Sequence, residues 1–217
     1  MVKNYNLFKK IFARIICCLI IWLLCGRTQD IYATSKITPI KKMVREMEMF
    51  ERATLSNDER GTIKLNKNNK AKAAALSIDV DLEDGVAVGE FGGYTTFKIT
   101  NKQIQKASQN LFGTVINKRN LLTQSSSNGT YDAYRQKDGT PVVYRTDAET
   151  EIDYQTIKTA INKKQKGKYQ VVKKVYYGYW GWNKGQANYK IIYEVKKNKN
   201  SSFGYVIKKM KIKEIIG

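Results

Sequence analysis

The clearest fold signal lies in the last third of the chain, in YQVVKKVYYGYW at 169–180, YKIIYEVKK at 189–197 and FGYVIKKMKIKEI at 203–215. Each is rich in the β-branched and aromatic residues that strands favour, and polar loops separate the three. Consecutive strands joined by short connections predict an antiparallel meander at the end of the chain.

The last of these strands predicts a sheet with one packed face and one basic, wet face. Apolar and basic side chains alternate along it, with Val206, Met210 and Ile212 on one side and Lys209, Lys211 and Lys213 on the other. Because successive strand side chains point to opposite faces, we expect the apolar set to meet the core and the lysines to meet solvent.

Upstream of the meander the sequence predicts mainly helices. Apolar residues three and four apart predict a helix over 37–55, and alanines predict another over 70–82. The lysine-rich residues 61–69 between them are typical of an exposed loop, and residues 94–99 of an extended segment.

A third helix and a hairpin follow. Thr100 with Gln103 three residues later forms a capping-box pattern, and Gly113 is a C-cap residue, so a helix is predicted between them. Residues 131–145 predict a hairpin that turns at an Asp-Gly pair. Residues 154–162 are interpreted as a short helix or an irregular crossover.

This order of elements predicts an α+β fold, in which N-terminal helices pack on a curved antiparallel sheet that ends in a three-stranded meander. Over roughly residues 37–215 the order resembles the α+β roll of the NTF2-like and cystatin-like superfolds, in which a sheet wraps a helix. The resemblance rests on element order alone. It implies no functional residues, since such folds include binding modules and enzymes alike.

The N-terminal region predicts export. Basic residues precede an apolar run at 15–24, and Ile31-Tyr32-Ala33 offers a cleavage site. We therefore expect a signal peptide over residues 1–33 and a single α+β domain over 34–217, with a helical lead-in over 34–69. The domain would be secreted or held in the cell envelope, outside the cytoplasmic membrane.

Two alternatives to a cleaved signal peptide stay open. The apolar run could be an uncleaved anchor that ends at Arg27, or Cys25 could carry a lipid. In either case we expect membrane contact only through the N-terminal segment.

Composition excludes several chemistries. The three cysteines all lie in the first 25 residues, so the exported part would hold no disulfide, thiolate nucleophile or iron–sulfur cluster. The chain has no histidine, which excludes Ser–His–Asp catalysis and an HExxH zinc site. We expect no cofactor. An exported chain without these cysteines indicates a bacterium with a single membrane.

The charge of the chain is strongly one-sided. Lysine and arginine number 39 against 19 acidic residues, a net charge of +20. Such a surface attracts polyanions, and export makes wall polymers and acidic glycans more suitable partners than nucleic acid. Base composition is the alternative explanation, because Lys, Asn, Ile and Tyr are all abundant and all have A/T-rich codons.

The segment YYGYWGW at 176–182 is the candidate ligand site. Tyrosine and tryptophan combine an apolar face with a polar edge and suit sugar rings or peptides. The candidate ligand-binding residues are Tyr176, Tyr179, Trp180, Trp182 and Lys184. In the structural alternative, Tyr177 and Tyr179 fill the core while Tyr176 and Trp180 pack at the sheet edge.

Acidic residues give two further candidates. Asp79, Asp81, Glu83 and Glu90 fall at the spacing of calcium ligands in an EF-hand, but the glycine that such a loop needs is one place late. A solvated acidic turn is the alternative. Asp132, Asp138, Asp147, Glu149, Glu151 and Asp153 have the right chemistry for glycoside hydrolysis, and nothing singles out a pair.

The sequence thus predicts an exported, envelope-associated and non-catalytic binding or interaction domain. Its partner would be an anionic wall polymer, a glycan or a protein. The alternative is a carboxylate-based enzyme acting on cell-wall or other glycans. Two carboxylates that converge in one cleft, one of them with a raised pKa, would indicate the enzyme and not the binding domain.

Overall fold

A five-stranded antiparallel sheet is built mainly from the end of the chain. The computed structural model describes residues 37–80, 86–88, 94–123, 131–146, 152–179 and 185–215. In sheet order the strands are β1 (Gly61–Ile63), β9 (Tyr205–Glu214), β8 (Tyr189–Lys197), β7 (Lys168–Tyr179) and β6 (Ile152–Gln165). The three strands predicted at the end of the chain are therefore confirmed.

A second antiparallel sheet precedes it in the chain. Its strands, in sheet order, are β2 (Val86–Val88), β3 (Tyr94–Lys98), β5 (Pro141–Thr146) and β4 (Tyr131–Arg135). The β4–β5 hairpin turns at Asp138-Gly139 as predicted, with Gly139 at φ 85°. A positive φ of this kind is a conformation that glycine adopts without a steric penalty.

Four helices accompany the sheets in the described part of the chain. They are α1 over 37–45, α2 (Glu48–Ser56), α3 (Lys67–Leu76) and α4 (Asn101–Phe112), and a 3₁₀ turn follows at Lys118–Asn120. None of these helices is long and apolar enough to cross a membrane. The α+β class, with helices packed on an antiparallel sheet that ends in a meander, is confirmed.

Residues Ile40–Gly217 belong to one compact unit. This unit contains both sheets and helices α2 to α4. Its core joins helix side chains such as Met47 and Phe50 to sheet side chains such as Val175 and Ile191. The predicted signal peptide over 1–33 lies outside the described residues.

Local signals in the sequence placed the α4 ends correctly. The Thr100 hydroxyl accepts a hydrogen bond from Gln103 N at 3.2 Å, and the Gln103 side chain accepts one from Thr100 N at 2.7 Å. Gly113 closes the helix in the left-handed conformation, at φ 70°. Both the capping box and the C-cap are confirmed, because each depends on residues within one turn.

Residues 154–162 do not form a helix or a crossover, and that prediction was wrong. They belong to β6, which pairs with β7 from Ile152↔Tyr179 to Gln165↔Lys168. Only Tyr154 of this strand is buried, so the segment lacks the apolar alternation by which a strand is recognised. The segment is a strand because its backbone pairs with β7, although its side chains do not show the alternation of a strand.

The N-terminal elements also differ in detail from the predictions. The expected helix over 37–55 is interrupted at 46–47 and gives α1 and α2. The expected loop over 61–69 contains β1, which pairs with β9. Helix α3 starts earlier than predicted because Asn66 caps it, its side chain accepting from Asn69 N at 2.9 Å.

The two faces of β9 follow the predicted alternation over most of its length. Met210 and Ile212 are buried in the core, whereas the lysines are exposed: Lys209, Lys211 and Lys213. A β-bulge at Lys208 then shifts the register. Ile207 therefore joins the core cluster, and Val206 is buried close to Gly113 instead.

Candidate functional site

A row of lysines crosses the outer face of the five-stranded sheet, the face turned away from the helices. Strand register places Lys158 opposite Lys174, Lys174 opposite Lys190, and Lys190 opposite Lys213. We call these four residues the lysine row. Lys190 is half-buried and the other three are exposed. Since paired strands are about 4.8 Å apart, the row presents a closely spaced line of cations.

Without a bound anion, the lysine row lowers the stability of the sheet. Like charges directly opposite each other on neighbouring strands destabilise a sheet. The next rows on the same face are different: Val172 lies opposite Ile192, and Gln170 opposite Glu194. Glu194 forms an ion pair of 3.3 Å with Lys209, both side chains being exposed. The lysine row is therefore a local concentration of charge on that face.

A groove with further lysines lies at the other end of the outer face. Its volume is about 260 Å³, and it is lined by Lys164, Lys168, Tyr169, Gln170, Glu194, Val195, Lys196 and Lys208. The Tyr169 ring packs edge-on against Tyr205, with centroids 5.5 Å apart. A ligand that follows β7 from the lysine row to this groove would meet cations at both ends.

The predicted aromatic site is only partly within the described residues. Tyr176 is 8 % exposed and its hydroxyl donates to the Tyr179 carbonyl at 2.8 Å, so its ring is packed. Tyr177 packs against the core, whereas Tyr179 is 52 % exposed and does not fill it. Trp180, Trp182 and Lys184 lie outside the described residues.

The calcium and carboxylate candidates are only partly within the described residues. Asp79 is described, while Asp81, Glu83 and Glu90 lie outside the described residues. Within those residues no three His, Cys, Asp or Glu side chains are grouped as a metal site requires. Asp138 accepts from Thr140 N and Oγ1, which lowers the pKa of this exposed carboxyl and ties it to the hairpin turn.

Asp132 forms an ion pair of 2.6 Å with Lys72 beside a small cavity. The cavity has a volume of about 70 Å³ and lies between α2, α3 and β4. The other predicted carboxylates are Asp153, half-buried on β6, and three that lie outside the described residues: Asp147, Glu149 and Glu151. Of the three described carboxylates, Asp132 pairs with a lysine and Asp138 with a threonine of its own turn, and these contacts do not join one carboxylate to another.

The inner face of the same sheet holds a buried polar cluster that sequence reasoning missed. Glu51 of α2 is fully buried, and Lys173 Nζ of β7 lies 2.5 Å from its Oε2 atom. The hydroxyl of Tyr154 also donates to Oε2, and that of Tyr193 donates to Oε1. We call Glu51, Lys173, Tyr154 and Tyr193 the buried cluster.

Burial controls the protonation of the two phenols. It raises the pKa of Tyr154 and of Tyr193 above the ordinary value of 10.0, and the nearby negative charge of Glu51 raises both further. Both hydroxyls therefore remain protonated donors to the carboxylate. Arg52 covers the cluster from outside, with its guanidinium carbon 4.9 Å from the centroid of the Tyr154 ring.

One signal in the sequence could have revealed this cluster. Residues 171, 173 and 175 point to the same face of β7, and two of them are buried valines. A lysine between them must be buried too, and a buried lysine requires a partner. The sequence does not say that this partner is Glu51, since the two residues are 122 positions apart.

Comparisons of the chain with protein family models, with curated proteins and with solved structures found no match in any of the three.

Proposed function

We propose that the outer face of the five-stranded sheet binds a linear phosphodiester polymer of the cell wall and that the domain acts by binding, without catalysis. The single observation that carries this proposal is the lysine row. Four cations aligned across neighbouring strands destabilise the folded protein, and a polyanion laid across them would reverse that effect.

The chemistry of lysine suits such a partner. An ammonium group is a compact point charge on a flexible stem, and it can follow phosphates whose spacing varies. Along β9 the exposed Lys209, Lys211 and Lys213 are about 7 Å apart, because alternate residues of a strand are separated by two rises. Cations thus extend in two directions over the face, which favours an extended polymer over a single small anion.

The location proposed for this function is the outside of the cytoplasmic membrane of a bacterium with a single membrane. The pattern of basic and apolar residues over 1–33 supports this location. We propose that this segment is a signal peptide and that it is removed on export. Wall polymers with phosphodiester backbones would be accessible to the domain there, and nucleic acid would be scarce.

The test measures binding of a purified polyol-phosphate wall polymer over about 50 to 200 mM salt. One variant changes Lys158, Lys174, Lys190 and Lys213 to glutamine. The control makes the same change at exposed lysines elsewhere: Lys67, Lys102, Lys118 and Lys137. Each phosphate contact contributes about 0.7 to the slope of log affinity against log salt, so the first variant should lose roughly 3 from that slope.

The control variant has the same net charge and should keep most of the slope. Equal losses in the two variants would overturn the proposal, because binding would then depend on total charge and not on this face. Equal binding of a neutral glucan, or binding of anionic vesicles in place of the polymer, would also overturn it.

A further inference from the structure

The ion pair at the centre of the buried cluster has a geometry that suits bond formation. Lys173 Nζ is 2.5 Å from Glu51 Oε2, which is one carbon–oxygen bond from the carboxyl carbon Cδ. The two side chains are 3 % and 0 % exposed, so bulk water is excluded. We propose that Lys173 and Glu51 condense to an amide that covalently links β7 to α2, with loss of one water.

The first requirement of this reaction is a neutral amine facing a neutral carboxylic acid. Moving one proton from Nζ to the carboxylate converts the ion pair into that form without changing its total charge. Burial penalises the two charges and leaves the neutral form without that penalty. Nζ is 2.5 Å from an oxygen bonded to Cδ, so the amine is within the short range of Cδ that an attacking atom needs.

The second requirement is a donor for the negative charge that develops during attack. When Nζ adds to Cδ, the carbonyl electrons move to Oε1. The hydroxyl of Tyr193 donates a hydrogen bond to that oxygen. Because Tyr193 is fully buried, this bond acts in a medium of low dielectric constant, where it stabilises the charge strongly.

The third requirement is a path for the proton that leaves the amine. The Tyr154 hydroxyl contacts both reacting groups: it donates to Glu51 Oε2, and Lys173 Nζ lies 3.2 Å away. It can therefore pass a proton from Nζ to Oε2. The electrons on Oε1 then restore the carbonyl, the Cδ–Oε2 bond breaks, and Oε2 leaves as water with its two protons. No oxidant, reductant or cofactor is consumed.

A second buried ion pair in the same chain is an internal control. Lys72 and Asp132 are 2.6 Å apart, but Lys72 is 16 % exposed and the pair lines the small cavity. A cavity of about 70 Å³ can hold water, and water there would hydrate both charges. We therefore expect the amide at Lys173 and not at Lys72.

The link would have a clear structural use. An exported part without cysteine cannot form a disulfide. An amide between residues 51 and 173 would close a loop of the unfolded chain that contains the whole four-stranded sheet, as a disulfide would. It would also fix α2 on β7, beside the edge strand β6 of the larger sheet.

The test is the intact mass of the purified full chain under denaturing conditions, followed by peptide mapping. The wild type should be lighter than its processed sequence by one water. Digestion should yield a branched peptide that joins Glu51 to Lys173, with no cleavage after Lys173. A wild-type mass equal to the sequence mass overturns the proposal, and so does a link located at Lys72 and Asp132.

Two variants sharpen the result. Lys173→Arg keeps the positive charge and cannot form this amide, so its mass should equal that of its sequence. Tyr154→Phe removes the proton path, so the linked fraction should fall and the reaction should slow after refolding. Full linkage in Tyr154→Phe would overturn the role given to the phenol, and the wild-type peptide map does not depend on how either variant folds.

Discussion

Lys173 and Lys174 are consecutive on β7, yet one faces the core and the other faces solvent. Lys173 is 3 % exposed and contacts Glu51, whereas Lys174 is exposed within the lysine row. Successive strand side chains point to opposite faces, so the sheet places one amine in an apolar medium and the next in water. The environment of each lysine, and hence its contribution to stability or binding, is therefore set by the face of the sheet and not by the residue type.

The largest expected effect comes from removing the inner lysine. Lys173→Met leaves the Glu51 carboxylate buried without its cation, and we expect a loss of about 3–5 kcal/mol in the free energy of unfolding. Lys174→Met is the matched control, and it should change stability by less than about 1 kcal/mol. Urea unfolding followed by circular dichroism measures both free energies of unfolding. Similar losses in the two variants would show that the buried Lys173 contributes no more to stability than the exposed Lys174.

A double variant tests whether the loss comes from the unpaired charge. Glu51→Gln combined with Lys173→Met removes both charges, and it should be more stable than Lys173→Met alone by roughly 2 kcal/mol. Additive losses would show instead that each side chain acts separately.

The next effect is a loss of stability at high pH that originates on the inner face. Folding raises the pKa of Tyr154 and of Tyr193 above 10.0, so their contribution is complete below that pH. Above it the unfolded phenols ionise while the folded ones stay protonated, and stability falls by about 1.4 kcal/mol per pH unit for each phenol.

Unfolding free energies measured from about pH 9 to 11.5 check this slope. Tyr193→Phe should remove roughly half of the contribution of the two phenols. Tyr179→Phe, at a ring that is 52 % exposed, is the control substitution. A slope unaltered by Tyr193→Phe would argue against a buried phenol in the cluster.

A smaller effect of opposite sign is expected on the outer face. Changing the four residues of the lysine row to glutamine removes repulsion between neighbouring strands, so stability should increase by about 0.2–1 kcal/mol per pair. Added salt should stabilise the wild type more than this variant, since salt screens exposed charges. Melting temperatures at low and high salt measure both effects, and a less stable variant would show that the row does not repel.

The smallest effect concerns the exposed ion pair between Glu194 and Lys209. Both side chains are more than half exposed, so Glu194→Gln should alter stability by at most about 1 kcal/mol. Losing this acid should raise polymer affinity slightly, because Lys209 becomes available. A loss as large as that of Lys173→Met would remove the distinction between the two faces.

Local signals accounted for much of the fold. The capping box at Thr100, the C-cap at Gly113 and the Asp-Gly hairpin turn were predictable, because each requires only residues that are neighbours in the chain. Strand β6 was not predictable, since its extended conformation depends on backbone pairing with β7 and not on a pattern of its own side chains. The basic side of β9 was predictable from its alternation. The lysine row was not, because it also requires Lys158 of β6.

The α+β class, the terminal meander, the excess of positive charge and the absence of histidine could all be read from the amino-acid sequence. Periodicity and composition carry these properties, and neither depends on long-range contacts. The alignment of lysines across the sheet and the contact of Lys173 with Glu51 depend on the tertiary structure. Strand register and helix docking bring together residues as far apart as 51 and 173, and no local pattern in the chain encodes that meeting.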